Sequence, residues 1–285
     1  MSKVRLSAKQ MDSLADLARR AGAEIVRIYR SDDWKVEHKG DNSPITAADM
    51  AAHNIIVAGL QQLFPDWPVL SEESAVIADA TRRSWPRYWL VDPLDGTKEF
   101  LAKSGEFTVN IALIDEHESV FGTVYWPLGD ELYQGGPGIG SWAVSGTERR
   151  LLHTRPAPSG NPQNPLIITA SSRHSEAAAK RISAALTERF AAIVAKPLGS
   201  SLKLCRIAAG QVDCYPRYGR TGEWDTAAGH AVLRGAGGDI LNRAGERLQY
   251  TKVTPYNSHF VAVGDPSLAW WNWLPEPRQK VDRGD

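Results

Sequence analysis

In Trp89-Leu90-Val91-Asp92-Pro93-Leu94-Asp95-Gly96-Thr97, an apolar run gives way to two carboxylates three residues apart. The run reads as a buried strand, Pro93 and Gly96 force a turn, and strand ends are where a rigid sheet hands functional groups to a loop. Two acids this close repel each other unless a cation sits between them, and oxygen-only ligands suit Mg2+ or Ca2+ rather than zinc. Gly96 and Thr97 set backbone N–H groups where an anion can meet them. A metal site and a phosphate site in one turn imply metal-assisted phosphate chemistry. By itself D-x-x-D-G is also the composition of an acidic surface turn, so the reading depends on what joins it.

Four further acids do. Ser71-Glu72-Glu73-Ser74 closes an expected strand, so one of its two glutamates can enter the cleft that Asp92 enters. Asp49 falls in the first turn of a helix, where the macrodipole favours a carboxylate. Trp224-Asp225-Thr226-Ala227-Ala228-Gly229 puts Asp225 at a helix start among small residues that permit close packing. Singly, these read as solvated charge or as helix caps. Together with Asp92 and Asp95 they supply what a multi-metal carboxylate site requires. Cations for a substrate are also on hand. Arg217 in Tyr215-Pro216-Arg217-Tyr218 follows a strand, Ser200 and Lys203 lie within one helical turn and can share an anion, and Arg220 is a weaker candidate.

The elements that position these residues follow from periodicity. From Ser7, the apolar residues Met11, Leu14, Ala18, Ala21, Ile25 and Ile28 recur at helical steps. After a polar stretch from Asp32 to Ser43, Thr46 and Asp49 form a capping box opening a helix that runs through Leu63 and stops before Pro65. Strands are expected at Val69–Ser71, Tyr88–Val91, Thr108–Ile114, Ser119–Tyr125, Glu131–Gln134 and Ser141–Val144, with short polar or Gly-rich links that predict an antiparallel meander. The proline-rich segment 153–165 marks a boundary between an N-terminal α+β domain, 1–152, with most of the acids, and a C-terminal α/β domain, 153–285, with Asp225 and the substrate grip. In the latter, strands at Leu166–Ala170, Ala192–Ala195 and Val212–Tyr215 alternate with helices over Ser175–Phe190 and Ser200–Ala209. A helix from Asp225 ends at Gly237-Gly238, before strands at Asp239–Leu241 and Phe260–Val263, and the charged tail from Pro275 is expected to fray.

Composition narrows the function classes. Lys+Arg and Asp+Glu both number 33, so no global field recruits nucleic acid or an anionic membrane. No apolar run reaches the length of a bilayer span, and the first residues lack the apolar stretch of a signal peptide. Cys205 and Cys214 have no metal-ligand spacing and are expected as buried, reduced thiols. A cytoplasmic enzyme is the expectation. Gly135–Gly140 lacks the G-x-G-x-x-G spacing and a following helix and is expected as a hairpin loop. No P-loop, G-x-S-x-G elbow or HExxH is present. The tryptophans Trp85, Trp89 and Trp126 should be core, and Trp270, Trp271 and Trp273 should dock a final helix.

DPLDGT, the SEE element, ITAAD upstream of it and WDTAAG, in that order from about Asp41 to Val263, closely resemble the inositol monophosphatase-like, Mg2+-dependent, lithium-sensitive phosphatase superfamily. DGTKEF, GEFTVNIALID, GSSLKLC, YPRYG and EWDTAAGHAVL look like its CysQ-type 3'(2'),5'-bisphosphate nucleotidase branch. The resemblance implies a layered α/β/α/β/α sandwich with the site between its halves. It implies two or three Mg2+, the first held by Glu72, Asp92 and the Leu94 carbonyl, the second by Asp92, Asp95 and Asp225. Glu72 rather than Glu73 is the ligand by this resemblance, and Thr97 with Asp49 behind it matches the pair that orients the attacking water. Leu94, Asp95, Gly96, Thr97, His174, Ser200, Lys203, Arg217 and Asp225 would line the substrate, His174 near the nucleoside. The implied partner is adenosine 3',5'-bisphosphate, with no stable nucleic acid partner, and the implied location extends to the cytoplasmic side of the inner membrane as a peripheral association.

The physical logic agrees. A phosphate monoester repels water and hydroxide by its own charge, and metals neutralise that charge and lower the pKa of a bound water. Direct attack by water needs no nucleophilic side chain, which leaves Asp92 and Asp95 as ligands. Two other readings share these residues: an inositol or sugar monophosphatase, which would need no grip on a second phosphate, and a nucleotide-sensing or transcription-associated binding protein, which would gain nothing from Asp92, Asp95 and Asp225 together.

Overall fold

The computed structural model describes residues 4–31, 34, 36–38, 44–74, 77–158, 160–169 and 176–276. Helix α1 (Ala8–Ser31) buries Leu14, Leu17, Ala18, Ala21, Ile25 and Ile28, the stripe its spacing predicts. A short pair, β1 (Glu37–His38) and β2 (Pro44–Ile45), leads into α2 (Ala47–Leu63). The capping box is present: Thr46 Oγ1 accepts from the Ala48 N–H at 3.2 Å, and Asp49 Oδ2 accepts from the Thr46 N–H at 2.8 Å.

Next come β3 (Val69–Ser71), α3 (Asp79–Arg83), β4 (Arg87–Asp95), α4 (Thr97–Leu101), β5 (Thr108–Asp115), β6 (Glu118–Trp126), β7 (Glu131–Gly136), β8 (Gly140–Ser145) and β9 (Glu148–Leu151). The seven strands form one sheet in chain order. It is the expected meander, antiparallel except that β3 runs parallel to β4. Gly136 pairs with Gly140 across the β7–β8 hairpin, so the glycine cluster is a turn. β9 was not anticipated: its residues are all exposed and carry no alternation to read.

The second half contains β10 (Leu166–Ile168), α5 (Glu176–Leu186), β11 (Ile193–Ala195), α6 (Leu202–Ala208), β12 (Cys214–Arg217), β13 (Thr221–Gly222), α7 (Trp224–Gly235), β14 (Asp239–Asn242), β15 (Tyr256–Asn257) and β16 (Phe260–Val263). Five of its strands make a mixed sheet in the order β11-β10-β12-β16-β14, and β13 pairs with β15. Trp270–Asn272 is a single 3-10 turn rather than a helix, because Pro275 lies three residues beyond it and a Trp-rich run has little helical preference. Trp270 is buried there and stacks on Phe190, with ring centroids 5.9 Å apart.

Strand alternation sorts the core into layers. Trp89 and Val91 face the cluster built with α1 and α2, whereas Tyr88 and Leu90 face the cluster shared with α6 and α7. Phe260 and Ala262 join that same middle cluster, and Val261 and Val263 face Ile182, Leu186 and Trp270 on the far side. The succession is helices, sheet, helices, sheet, helix, which is the expected α/β/α/β/α sandwich. The middle core draws on residues from both sides of position 152, and the proline-rich segment is tied down by a bidentate Arg155–Asp213 pair at 2.5 and 2.6 Å. Both cysteines are buried and unpaired, and burial pushes both thiols up.

Helix α7 reaches the first sheet through glycine. A Cβ on Gly122 of β6 would lie 2.1 Å from the Ala228 carbonyl oxygen, so the backbones touch and no side chain fits. Gly122→Ala is therefore expected to destabilise the protein by about 1–3 kcal/mol, read as a lower urea midpoint. It should also lower activity, because the helix pushed away carries Asp225.

Candidate metal centre and substrate cleft

Strand β4 runs on past Val91 to Asp95, and a register shift lies between Asp92, opposite Asn110, and Asp95, opposite Thr108. In a regular strand, residues three apart point to opposite faces. The extra residue restores Asp95 to the side of Asp92, and Pro93, which has no N–H to offer the ladder, is tolerated at such a bulge. Gly96 then takes a left-handed φ of +98° and starts α4.

The bulge, the turn after β3 and the first turn of α7 converge. One carboxylate oxygen each from Glu72, Asp92 and Asp225 lies within 4.8 Å of the others. Asp92 is 1 % exposed, and its Oδ1 accepts from the Leu94 N–H at 3.1 Å. Burial, then Glu72, Asp95, Asp225 and Asp49, all drive its pKa well above the usual carboxylate range. Asp225 is raised in the same way by burial and by Asp95 and Glu72, although the Gly222 N–H donates to its Oδ2 at 2.9 Å. Several mutually repelling carboxylates around a buried one, all hard oxygen donors, fit a divalent cation of the Mg2+ type.

Asp95 stands beside this trio, held by neighbours that the sequence did not single out. Ser201 Oγ is 2.7 Å from Asp95 Oδ2 and 2.8 Å from the Asp225 carbonyl oxygen. Asn110 Nδ2 donates to Ser201 Oγ at 2.9 Å and is 3.3 Å from Asp95 Oδ2. A signal for Asn110 did exist: it is a polar residue inside the otherwise apolar TVNIALID strand, and it is 1 % exposed. Thr97 Oγ1 lies 3.2 Å from Asp49 Oδ1 and 3.4 Å from the Leu94 carbonyl oxygen. The proposed water-orienting pair is thus in mutual contact at the rim of the acidic cluster.

A cavity of about 220 Å³ adjoins the acids and is lined by Asp95, Asp225, Ser200, Lys203, Arg217 and Tyr215, among others. The predicted grip residues Ser200, Lys203 and Arg217 therefore line the same cavity as two of the carboxylates. Ser200 holds a positive φ of 44°, a strained conformation of the kind kept at functional loops. Lys203 is buried, sits 5.3 Å from the centre of the Tyr215 ring and is pushed down to about 8 by burial. Arg217 donates to the carbonyls of Gly219 and Arg220, which orders the loop in front of Asp225. Arg220 is turned onto Tyr256, 3.4 Å from its ring centre. His174 lies outside the described residues.

The Inositol monophosphatase family model matches residues 8–270, so the chain is a member of that family. Within it, the chain is 44 % identical over 242 residues to the 3'(2'),5'-bisphosphate nucleotidase CysQ of Escherichia coli K12, covering 85 % of this chain and 94 % of the relative. It is 42 % identical to the Salmonella typhimurium CysQ over the same shares. The crystal structure of CysQ from Bacteroides thetaiotaomicron superposes with a TM-score of 0.76 at 36 % identity, covering 90 % of this chain and 98 % of that one. The Thermotoga maritima IMPase shares the fold, with a TM-score of 0.72 at 22 % identity over 90 % and 92 % of the two chains. The family is metal-dependent, and the acidic cluster supplies the ligands such dependence needs. Among the described residues no helix is long and apolar enough to cross a membrane.

Proposed function

We propose that the protein is a Mg2+-dependent 3'(2'),5'-bisphosphate nucleotidase that removes the 3'-phosphate of adenosine 3',5'-bisphosphate, giving AMP and phosphate. The observation that carries this is a cavity lined both by Asp95 and Asp225 and by Lys203 and Arg217. Acids for metals together with cations in one cavity suit a substrate with one phosphate to hydrolyse and a second to hold. The similarity to the CysQ nucleotidases supports the same substrate class.

Glu72, Asp92 and the Leu94 carbonyl would hold one Mg2+, and Asp92, Asp95 and Asp225 a second, with Asp92 shared. Bound there, the metal supplies positive charge against the phosphate and lowers the pKa of water. The chain's own residues do the positioning. Asp49, its Oδ2 fixed by the Thr46 N–H, accepts the Thr97 hydroxyl hydrogen on Oδ1, which leaves Thr97 Oγ1 free to accept from a water. That water is aimed at phosphorus from the side opposite the sugar oxygen. Its oxygen forms the new P–O bond and gives up a proton to solvent as the bond to the 3'-oxygen breaks, and the leaving oxygen takes a proton from solvent. Gly96 and Thr97 N–H groups, at the start of α4, meet the phosphate oxygens. Ser200, Lys203 and Arg217 bind the phosphate that is kept.

The test is phosphate release from adenosine 3',5'-bisphosphate, its sulfated form, inositol 1-phosphate and fructose 1,6-bisphosphate. The nucleotides should lead by a wide margin, and a lead for inositol 1-phosphate would overturn the reading. Arg217→Ala should cut kcat/KM for the bisphosphate about 10- to 1000-fold, as loss of a charge-assisted contact does. A small generic monophosphate should be affected far less, because Arg217 grips the part that is not hydrolysed.

A further inference from the structure

Glu223 immediately precedes Trp224 and Asp225 and is fully buried. A carboxylate at a helix start ordinarily caps its own helix. Glu223 makes no such cap. Its Oε1 instead accepts from the Lys252 N–H at 2.9 Å and pairs with Lys252 Nζ at 2.7 Å, and its Oε2 accepts from the Thr251 N–H at 3.1 Å. Arg82 of α3, 2 % exposed, comes at the same carboxylate from the other half of the molecule. Its Nη2 donates to the carbonyls of Lys252, at 2.5 Å, and Val253, at 3.0 Å. Its buried Nη1 has no hydrogen-bond partner and lies 3.8 Å from Glu223 Oε2. Asp79, the other acid near Arg82, is mostly in solvent.

The cluster joins two ends of the candidate metal site. Arg82 sits on the short helix that follows the Glu72 turn, and Glu223 sits at the residue from which α7 sets out toward Asp225. The 251–253 segment between them is pinned to the first sheet as well, by Tyr88 Oη at 3.2 Å from Thr251 Oγ1. A buried anion facing two cations holds them together, and its removal leaves uncompensated charge that must separate or draw in water.

We propose that Arg82, Glu223 and Lys252 form a positioning cluster that sets where α7 begins relative to the Glu72 turn, and thereby sets the metal affinity of the site. None of the three touches metal or substrate. The proposal rests on the metal-site reading above.

The test is Mn2+ binding to the metal-stripped full-length protein without substrate, followed by the EPR signal of free Mn2+, alongside thermal unfolding. Glu223→Gln keeps the shape but removes the charge and one of the two oxygens that accept backbone N–H groups, and should weaken Mn2+ binding about 10- to 100-fold, the cost usual for partners that orient ligands. Arg82→Met should weaken it comparably. The double variant should be no worse than the weaker single, because one broken unit cannot be broken twice. A lower Tm with unchanged Mn2+ affinity, or strictly additive losses, would overturn the proposal. If Glu223→Gln does not fold, Lys252→Met takes its place, since that side chain is 30 % exposed; it should still weaken Mn2+ binding, and an unchanged affinity there overturns the proposal too. Failure of the unmodified protein to bind Mn2+ would instead overturn the metal-site reading itself.

Discussion

Asp92→Asn is expected to lower kcat/KM for the bisphosphate by several orders of magnitude, corresponding to about 4 kcal/mol or more of lost transition-state stabilisation. On the proposed metal assignment, the exchange replaces an anionic ligand shared by both ions with a neutral amide at a buried point of the site. The fold should not suffer. Asp92 is driven toward its neutral form by burial and by four neighbouring carboxylates, so in the metal-free protein an amide relieves repulsion. Its oxygen can still accept from the Leu94 N–H. The metal-free variant should therefore unfold at the same temperature as the parent or above it, while single-turnover phosphate release is nearly abolished. Parent-like turnover in the purified variant would remove the metal assignment.

Removal of divalent cations should have the second large effect. Without them the cluster of carboxylates repels an anionic substrate, and turnover should vanish in chelator and return with Mg2+. Stability should respond as well, with a definite sign. Asp92 and Asp225 hold their protons more tightly in the folded, metal-free protein than in the unfolded chain, whose carboxylates titrate near 3.8. Stability of the metal-free protein should fall as pH rises from that value through the raised folded pKa values, since the folded state must give up protons it retains better. Saturating Mg2+ should flatten or reverse this slope, because a bound cation favours the ionised carboxylates. Thermal unfolding across pH, with Mg2+ and with chelator, reads both. A metal-free protein whose Tm rises with pH over that window would contradict the arrangement of buried acids.

Much of this was legible in the chain, for identifiable reasons. Thr46 and Asp49 announced the start of α2 because a capping box is a local device, satisfied within four residues. The strands of the first sheet could be placed because their apolar runs are short and their turns carry glycine or acids. Boundaries were less exact: β4 was expected to end at Val91, yet it carries its ladder to Asp95 through a bulge. β9 left no trace, since an exposed edge strand need not alternate. The terminal tryptophans pack as their apolar bulk predicts but form no helix, because a large aromatic satisfies its burial in either conformation.

By itself the sequence determined the chemical inventory: which acids, hydroxyls and cations exist, which sit at strand ends or helix starts, and that oxygen donors of this kind call for a hard cation. It also determined the local devices, the capping box, Pro93 and Gly96, because their energetics are settled by neighbouring residues. Only the tertiary structure decided that Glu72, Asp92 and Asp225, drawn from three separate elements, meet within one ion's reach. The same holds for Ser201 and Asn110 at Asp95, and for Arg82 and Lys252 at Glu223. These partners are far apart along the chain, and no periodicity or motif couples them. They are brought together by burial of two sheets around one layer of helices, with charges and hydrogen bonds paired only after that burial has fixed the distances.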